Sequence, residues 1–265
     1  MQAWYLAHQE QIKYCLEWAI YTDAFRKLSA LMYVIFAVGL FALGTEYHAA
    51  MIRKDRAIGQ FPEGYFTMMT VQLLPLTITG FVLRDPYIIG TRLGTLLVVL
   101  IVYAMVSSAN GTFNTTRYRL WMGFWLSVAI LGPMVWFESE SLRTFVRDWE
   151  KWIAWSSVAA MLLFVVKGQR AVAKTLFLHY VQGNYSIKRF SLQVVRFFGF
   201  ALQAIHYWLV PTTAQPLLGF DPIFVQGALG TIGVTMVLIG SMFGFIWGGK
   251  ARQQKRQESR ALATA

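Results

Sequence analysis

The sequence is poor in charge and has a single cysteine. Only 14% of its 265 residues are charged, whereas 56% are apolar. The lone cysteine, Cys15, excludes a disulfide within the chain. The four histidines are dispersed, and the sequence has no H-E-x-x-H motif, no Cys/His metal spacing and no glycine-rich phosphate loop. We therefore expect neither an enzymatic activity nor a cofactor.

Acidic residues are scarce relative to basic ones. The sequence has 13 Asp and Glu against 24 Lys and Arg, a formal net charge of +11. A basic balance of this size is typical of nucleic-acid partners or of membrane surfaces. Because the apolar stretches leave no compact, soluble basic domain, we expect no nucleic-acid partner and expect the basic residues to face membrane lipids.

Long apolar runs fill most of the chain. A helix needs about 17 to 25 apolar residues to cross a bilayer. The runs lack the alternation of a barrel strand, so they predict an all-α integral membrane protein. The seven predicted transmembrane helices are 28–51, 66–83, 87–106, 120–137, 152–175, 191–210 and 223–247. The last of them has no lysine, which excludes a retinal Schiff base there.

The basic residues lie mainly on one side of this topology. The segments that follow odd-numbered helices carry most of them: Arg53, Lys54, Arg56, Arg117, Arg119, Lys167, Arg170, Lys174, Lys188, Arg189, Lys250, Arg252, Lys255, Arg256 and Arg260. The positive-inside rule then predicts an external N-terminus and a cytoplasmic C-terminus, with 249–265 as a basic cytoplasmic tail. We expect a protein of the plasma membrane, the inner membrane of a bacterium.

The first 27 residues have a different pattern. Apolar residues recur there at roughly helical spacing, including Trp4, Leu6, Ile12, Leu16 and Trp18. This spacing predicts an amphipathic helix over 1–27 that lies on the outer membrane interface. A frayed terminal tail is the alternative.

One phrase occurs twice. Asp85-Pro86 followed by Leu93-Gly94-Thr95 recurs as Asp221-Pro222 followed by Leu229-Gly230-Thr231. Weaker matches pair the first helix with the fifth and the second with the sixth. The sequence thus predicts two three-helix repeats, 28–106 and 152–248, joined by a linker, 107–151, that contains the fourth helix. An odd number of linking helices makes the two repeats parallel in the membrane.

The repeated residues have local structural roles. Asp-Pro favours a helix start, because aspartate caps free N–H groups and proline fits the first turn. Gly94 and Gly230 are expected to permit close approach of a neighbouring backbone. Three further glycines spaced by four predict a packing seam, either within the bundle or against a second copy or another membrane protein: Gly240, Gly244 and Gly248.

This plan resembles the SWEET and SemiSWEET sugar transporters of the PQ-loop superfamily. The segment L-R-D-P-Y-I-I-G-T-R-L-G-T looks like the end of a SWEET repeat, and N-Y-S-I-K-R-F-S-L-Q looks like the entry to a second helix. The segment D-P-I-F-V-Q-G-A-L-G is also similar to the N-terminal domain of lipid A biosynthesis proteins. The resemblance implies facilitated diffusion of a sugar or similar small polar solute by alternating access. The sequence lacks the family's sugar-facing asparagine and most of its helix prolines.

Polar residues within the predicted helices are the candidates for a solute site. Arg196, Gly199, Gln203 and His206 share one face of the sixth helix. Gln72 and Gln226 are expected to form the opposite walls. We therefore predict a site formed by Gln72, Gln203, His206 and Gln226. Alternatively, Arg196 snorkels to the cytoplasmic interface and His206 lies near the outer one; Arg92 is expected to snorkel at the outer end.

The repeat also predicts a gate. Glu46 and Arg170 occupy equivalent positions in the first and fifth helices, and the hypothesis is that they form a charge pair at the inner end of the pathway. Pro75 and Gly199 are the predicted bending points of the second and sixth helices. Two separate interfacial charges are the alternative for Glu46 and Arg170.

A second class of function stays open. The missing asparagines and prolines, and the many tryptophans, also fit a non-transporting subunit or scaffold that packs against lipids or other membrane proteins. A polar cavity near Gln72, Gln203 and Gln226 favours transport. Helices sealed by leucine and phenylalanine at that depth favour the subunit.

Overall fold

The computed structural model describes residues 22–53, 63–184, 186–212 and 219–254, with 13, 17, 18, 20 and 257. These residues form helices and short connections. The helices are α1 (Ala24–Ile52), α2 (Glu63–Val82), α3 (Pro86–Ala109), α4 (Thr116–Glu138), α5 (Glu140–Asp148), α6 (Glu150–Leu163), a π-helical segment (Phe164–Gln169), α7 (Arg170–Val181), α8 (Ile187–Leu209) and α9 (Pro222–Trp247).

Six of the helical stretches are long and apolar enough to cross a membrane. They are α1, α2, α3, α4, α9 and the continuous stretch Glu150–Val181, which joins α6 to α7. The chain is therefore an integral membrane protein. The sixth predicted segment, 191–210, is helical as α8 but is not among the six, because glutamine, arginine and histidine interrupt its apolar face. Most of the predicted helix over 1–27 lies outside the described residues, including Trp4, Leu6, Ile12 and Leu16.

The helices pack in a closed ring around a common core. α3 lies between α1 and α2, and α9 lies between α8 and the α6–α7 stretch. The ring closes through two further contacts, α1 on α8 and α2 on α6 with the π segment. Buried residues from both sets of helices form one hydrophobic cluster, for example Phe36, Val99, Phe164 and Val234. The polar residues of the candidate site lie where α1 meets α8, together with the neighbouring helices α3 and α9.

Two helices lie at the edge of this ring. α4 packs mainly on α3 and leaves much of its surface exposed. The predicted linker, 107–151, also contains α5, a short helix that apolar periodicity did not predict. In α5, the hydrogen bond from Arg143, together with its charge, lowers the pKa of the exposed Glu140 carboxyl. The linker therefore runs outside the six-helix ring, through α4 and then α5.

The repeated Asp-Pro pairs begin helices, as predicted. The Asp85 Oδ1 accepts hydrogen bonds from the backbone N–H groups of Tyr87 and Ile88, at 2.9 and 3.1 Å. The Asp221 Oδ1 accepts the corresponding bonds from Ile223 and Phe224, at 2.7 and 3.1 Å. Each proline occupies the first turn, where no N–H partner is needed. The two caps therefore have the same local geometry.

The π-helical segment, Phe164–Gln169, shifts the register of the helix that follows it. Before the segment, buried positions correspond to those of α1: Tyr33 to Ser157 and Ala37 to Met161. After it, the residue that takes the buried position of Tyr47 is Val172, one residue later than the correspondence predicts. A π turn holds an extra residue, so it rotates the face that α7 presents. An unbroken apolar run gives no signal of this insertion.

The glycines of the repeated phrase have different surroundings. A Cβ at Gly230 would collide with the ring of Phe200, so this glycine lets α9 approach α8. Gly94 has no neighbouring atom within 4 Å of such a Cβ, so the predicted close approach is wrong there. In the α9 seam, Gly244 and Gly248 lie against the backbone of Phe177 and Tyr180 in α7. These two glycines therefore pack within the chain.

This seam allows a stability prediction with an internal control. A Cβ at Gly244 would lie 2.8 Å from the carbonyl oxygen of Phe177, whereas at Gly240 the nearest atom is 3.8 Å away. We expect Gly244→Ala to destabilise the protein by about 2 kcal/mol through overpacking, lowering the apparent melting temperature by about 5 °C. Gly240→Ala gains helix propensity and should stabilise it by up to about 1 kcal/mol. Thermal unfolding in detergent measures both, and equal shifts would contradict the assignment.

Candidate functional site

Polar residues of α8 form the centre of the candidate site. The predicted stripe of Arg196, Gly199, Gln203 and His206 is buried, and the two long polar side chains are 2% and 4% exposed. Residues seven apart share a face of an α-helix, since two turns span about seven residues. Arg189, one such step before Arg196, extends the buried stripe toward the start of α8. The stripe therefore faces the interior of the helix ring along most of α8.

Gln203 connects four helices. Its Oε1 accepts hydrogen bonds from the Tyr33 hydroxyl of α1, at 3.2 Å, and from the Arg92 guanidinium of α3. Its Nε2 donates to the Gln226 Oε1 of α9, at 2.5 Å, and lies 3.3 Å from the Ile223 carbonyl oxygen. The predicted pair of Gln203 and Gln226 is thus in direct contact. Gln226 itself is fully buried, and its Nε2 has no partner among the described residues.

Gly227 brings these two glutamines together. A Cβ at this position would lie 2.9 Å from the backbone nitrogen of Ala204, the residue after Gln203. Without a side chain, α9 approaches the backbone of α8 closely enough for a direct glutamine pair. The glycine before the repeated Leu-Gly-Thr phrase therefore has a specific role in the second set of helices.

Arg92 lies inside the bundle. It is 3% exposed, and its guanidinium carbon is 3.6 Å from the centroid of the Tyr33 ring. The expectation that Arg92 snorkels outward is therefore wrong. Its Nη2 donates to Gln203, and its Nε has no acceptor among the described residues. A guanidinium has five N–H donors, so most of its donor capacity is unused by the described residues.

Arg196 is the second buried guanidinium, and it does not snorkel either. Its Nη1 donates to the Tyr65 hydroxyl of α2, at 2.7 Å. The guanidinium carbon also lies 4.8 Å from the ring centroid of Phe164, 5.1 Å from Phe36 and 5.3 Å from Phe200. Within the described part of the chain, neither Arg92 nor Arg196 forms a salt bridge. Aromatic rings, rather than carboxylates, surround the Arg196 cation.

Two clefts open on either side of this arginine. The first, the Arg92 cleft, is narrow, with a cavity volume of about 20 Å³. It is lined by Arg26, Ser29, Tyr33, Arg92, Gln203 and Tyr207, among others. The second, the Arg189 cleft, has a cavity volume of about 50 Å³ and is lined by Phe36, Leu40, Tyr65, Thr175, Arg189 and Gln193, among others. The first cleft lies toward the beginning of α1 and the second toward its end.

Arg196 and Phe200 join the two clefts. The Phe200 ring packs edge-on against Tyr33 of the Arg92 cleft, with centroids 5.5 Å apart. Arg196 bonds to Tyr65 and lies over Phe36, both of which line the Arg189 cleft. Aromatic rings and one buried cation therefore separate the two clefts.

A carboxylate network lies at the rim of the Arg92 cleft. The Asp85 Oδ2 accepts a hydrogen bond from the Tyr207 hydroxyl of α8 at 2.7 Å, and one from Arg26 of α1 at 3.3 Å. Arg26 also pairs with Asp23. Asp85 therefore connects the start of α3 to α1 and to the end of α8, which belong to different halves of the ring.

The predicted gate pair is not formed. Glu46 accepts a hydrogen bond from Lys188 of α8 at 3.0 Å, and Arg170 is exposed on α7. α1 packs on α3 and α8, whereas α7 packs mainly on α9, so the two helices are not neighbours in the ring; the π-helical turn also rotates α7 just before Arg170. The Glu46–Lys188 pair still bridges α1 and α8, near the end of the bundle that holds the Arg189 cleft.

The remaining predicted residues have separate positions. Gln72 and His206 are buried, and neither lines the two clefts; the Gln72 Nε2 has no partner among the described residues. Pro75 lies inside α2, and its carbonyl oxygen accepts from the Thr79 hydroxyl. The Gly199 carbonyl oxygen accepts from Ser29 at 2.8 Å, so this position packs α8 on α1.

Sequence reasoning missed several contributors. Tyr33 and Tyr65 bond directly to the buried polar groups, yet a tyrosine within an apolar run looks like ordinary core. Gln169, in the π segment, is 1% exposed, and neither polar atom of its amide has a hydrogen-bond partner among the described residues. A glutamine next to Lys167 and Arg170 looked like part of a polar helix end. Groups of metal-ligand side chains are not found in the described part of the chain.

Comparison with protein-family models, curated proteins and solved structures finds no match for this chain.

Proposed function

We propose that this protein is a facilitative membrane transporter that moves a small polar solute by alternating access. The observation that carries the proposal is the buried polar stripe of α8, which runs between the Arg92 cleft and the Arg189 cleft. Buried polar groups inside a membrane bundle are costly, and they typically mark a solute or ion pathway. Two clefts at opposite ends, separated by a thin aromatic layer, are the arrangement expected of an occluded carrier.

The packing order supports a repeat architecture for this carrier. In each proposed repeat, the third helix lies between the first and the second. The contacts between repeats are also equivalent, since α1 packs on α8 as the α6–α7 stretch packs on α2. We infer seven spanning helices in a 3+1+3 plan with parallel repeats, an external N-terminus and α4 as the linker, in a bacterial inner membrane.

Contacts across the two repeats provide candidate gates. Asp85 and Tyr207 join them beside the Arg92 cleft, and Glu46 and Lys188 join them beside the Arg189 cleft. In the proposed cycle these pairs break alternately as the two bundles rock about the centre. The exposed Glu46–Lys188 pair is worth about 1 kcal/mol or less, so it breaks easily.

Surface features favour a second candidate, a non-transporting membrane subunit. An apolar cleft with a cavity volume of about 190 Å³ lies between α2, α3, α4 and α5, and three aromatic side chains beside it in sequence are largely exposed: Phe145, Trp149 and Trp152. Such a surface suits a partner helix or an acyl chain. This candidate leaves the buried polar stripe unexplained, so transport is the better-supported function.

Uptake into liposomes by the purified full-length protein tests the proposal. We expect saturable uptake of a labelled small polar solute from a panel of sugars, amino acids and organic acids. Gln203→Leu removes a side chain that bonds to three helices and should reduce uptake at least tenfold. Gln182→Leu, at an exposed position outside both clefts, is the matched control. Folded, inserted protein without uptake of any panel solute would favour the subunit.

A further inference from the structure

The buried arginines of the proposed transport pathway indicate which class of solute the protein moves. We infer that the transported solute carries an anionic group, a carboxylate, phosphate or sulfonate, that binds first to Arg92 in its cleft. The inference rests on the proposed transport function and goes beyond it, since a sugar needs no cation. It also goes against the sugar expected from the SWEET resemblance.

The first argument is the absence of a counter-charge at the two deepest arginines. Within the described residues, the carboxylate nearest to them along α3, Asp85, already accepts from Tyr207 and Arg26 and caps α3. Arg92 and Arg196 have only amide, hydroxyl and aromatic partners. A desolvated guanidinium without a carboxylate is costly, so an anionic occupant stabilises this site more than a neutral one.

The second argument is the geometry of the free donors. Arg92 lines a cleft, lies over the Tyr33 ring at 3.6 Å and has an Nε without a partner among the described residues. A guanidinium held by stacking presents a planar fork that matches two oxygens of a carboxylate or phosphate. The Gln203 Oε1 accepts from both the Arg92 Nη2 and the Tyr33 hydroxyl, so these polar groups lie together beside the proposed anion site.

The third argument is that the cations form a series. The guanidinium carbons of Arg92 and Arg196 lie 6.0 and 5.3 Å from the centroid of the same Phe200 ring. Arg189, two turns before Arg196 on α8, lines the other cleft. An anion that leaves Arg92 thus meets a second cation across one aromatic ring and a third at the exit. This order suits passage of an anion through a low-dielectric core.

The test uses two solutes that differ mainly in charge. Radiolabelled gluconate and glucose are offered to liposomes of neutral phosphatidylcholine that contain the full-length protein. We expect saturable gluconate uptake and little glucose uptake. Uptake of glucose with none of gluconate would overturn the anionic solute and leave the transporter proposal standing.

Variants at Arg92 test whether this residue binds the transported anion. Arg92→Gln should reduce gluconate uptake at least tenfold, because a charge-assisted fork is lost. Arg92→Lys keeps the charge without the fork and should retain intermediate uptake. Arg147→Gln, at an exposed position outside both clefts, is the matched control and should have no effect. Equal uptake by Arg92→Gln and the control would overturn the assignment of Arg92.

A binding measurement separates the anion site from the transport function. Gluconate or inorganic phosphate should raise the melting temperature of the detergent-solubilised protein above that in chloride at equal ionic strength, and Arg92→Gln should lose this shift. Binding without uptake supports the anion site and rejects transport. A shift in melting temperature produced only by phosphatidic acid, and by no small anion, would identify a lipid headgroup as the ligand and overturn the anionic solute. The absence of any shift would overturn the anion site itself.

Discussion

Arg196→Met is expected to abolish transport without destabilising the protein. The Arg196 guanidinium is 2% exposed and has one hydrogen bond, to Tyr65, with aromatic rings as its other neighbours. Replacing a buried charge with an apolar side chain of similar size is often neutral, or stabilising by about 1 to 4 kcal/mol. We therefore expect an unchanged or higher melting temperature, together with a loss of anion uptake of at least about 100-fold, a size typical of removing a buried charge contact.

Melting temperature and anion uptake, measured on the same variant, separate a functional arginine from a structural one. If Arg196 only holds the helices together, its removal lowers stability, and uptake falls in parallel with the folded fraction. Arg196→Lys keeps the charge and should retain part of the uptake. The double variant Tyr65→Phe with Arg196→Met removes the hydroxyl that the single change leaves unpaired. A double variant less stable than the wild type by several degrees would contradict the expectation.

The apolar pattern was sufficient to predict the helices but not their neighbours. Runs of about 20 apolar residues fixed the positions of α1, α2, α3, α4 and α9 to within a few residues, because length and hydropathy are local properties. That α3 lies between α1 and α2 depends on contacts between distant segments. No residue pattern predicts that order.

Arg92 shows why individual site residues are harder to predict. It lies six residues after the start of α3, about 9 Å along the axis, so an arginine side chain has the length to reach the membrane surface. The Arg92 side chain points inward instead, toward Tyr33 and Gln203 across the bundle. Direction follows from the rotation of α3 against α1, which the apolar pattern of one helix does not specify.

The π segment illustrates the same limit for repeat arguments. Glu46 and Arg170 are equivalent in the alignment of the two halves. The π turn in Phe164–Gln169, however, holds one extra residue and so rotates α7. The structural correspondence between Gly44 and Gly168 is therefore lost two residues later, at Glu46 and Arg170. A charge pair across the two halves does exist, with Lys188 as the partner of Glu46.

The largest stability loss is expected for Asp85→Ala. The change removes the α3 cap, worth about 1 kcal/mol. It also removes the acceptor of Arg26 and Tyr207, and hydrogen bonds to a charged group contribute about 1.5 to 3 kcal/mol. We expect a total loss of at least about 4 kcal/mol, measured as a fall of several degrees in the apparent melting temperature in detergent.

The second copy of the motif is the control for this prediction. Asp221 caps α9 with the same geometry, but its Oδ2 accepts from Thr212, nine residues earlier in the chain. Asp221→Ala should thus cost less, because it breaks no contact between the two halves of the ring. Tyr207→Phe keeps the Asp85 cap and removes only the bond across the halves, worth about 1.5 to 3 kcal/mol. If Asp85→Ala and Asp221→Ala lose the same stability and Tyr207→Phe loses none, Asp85 acts as a helix cap alone, and the proposed gate beside Arg92 must be held by other contacts.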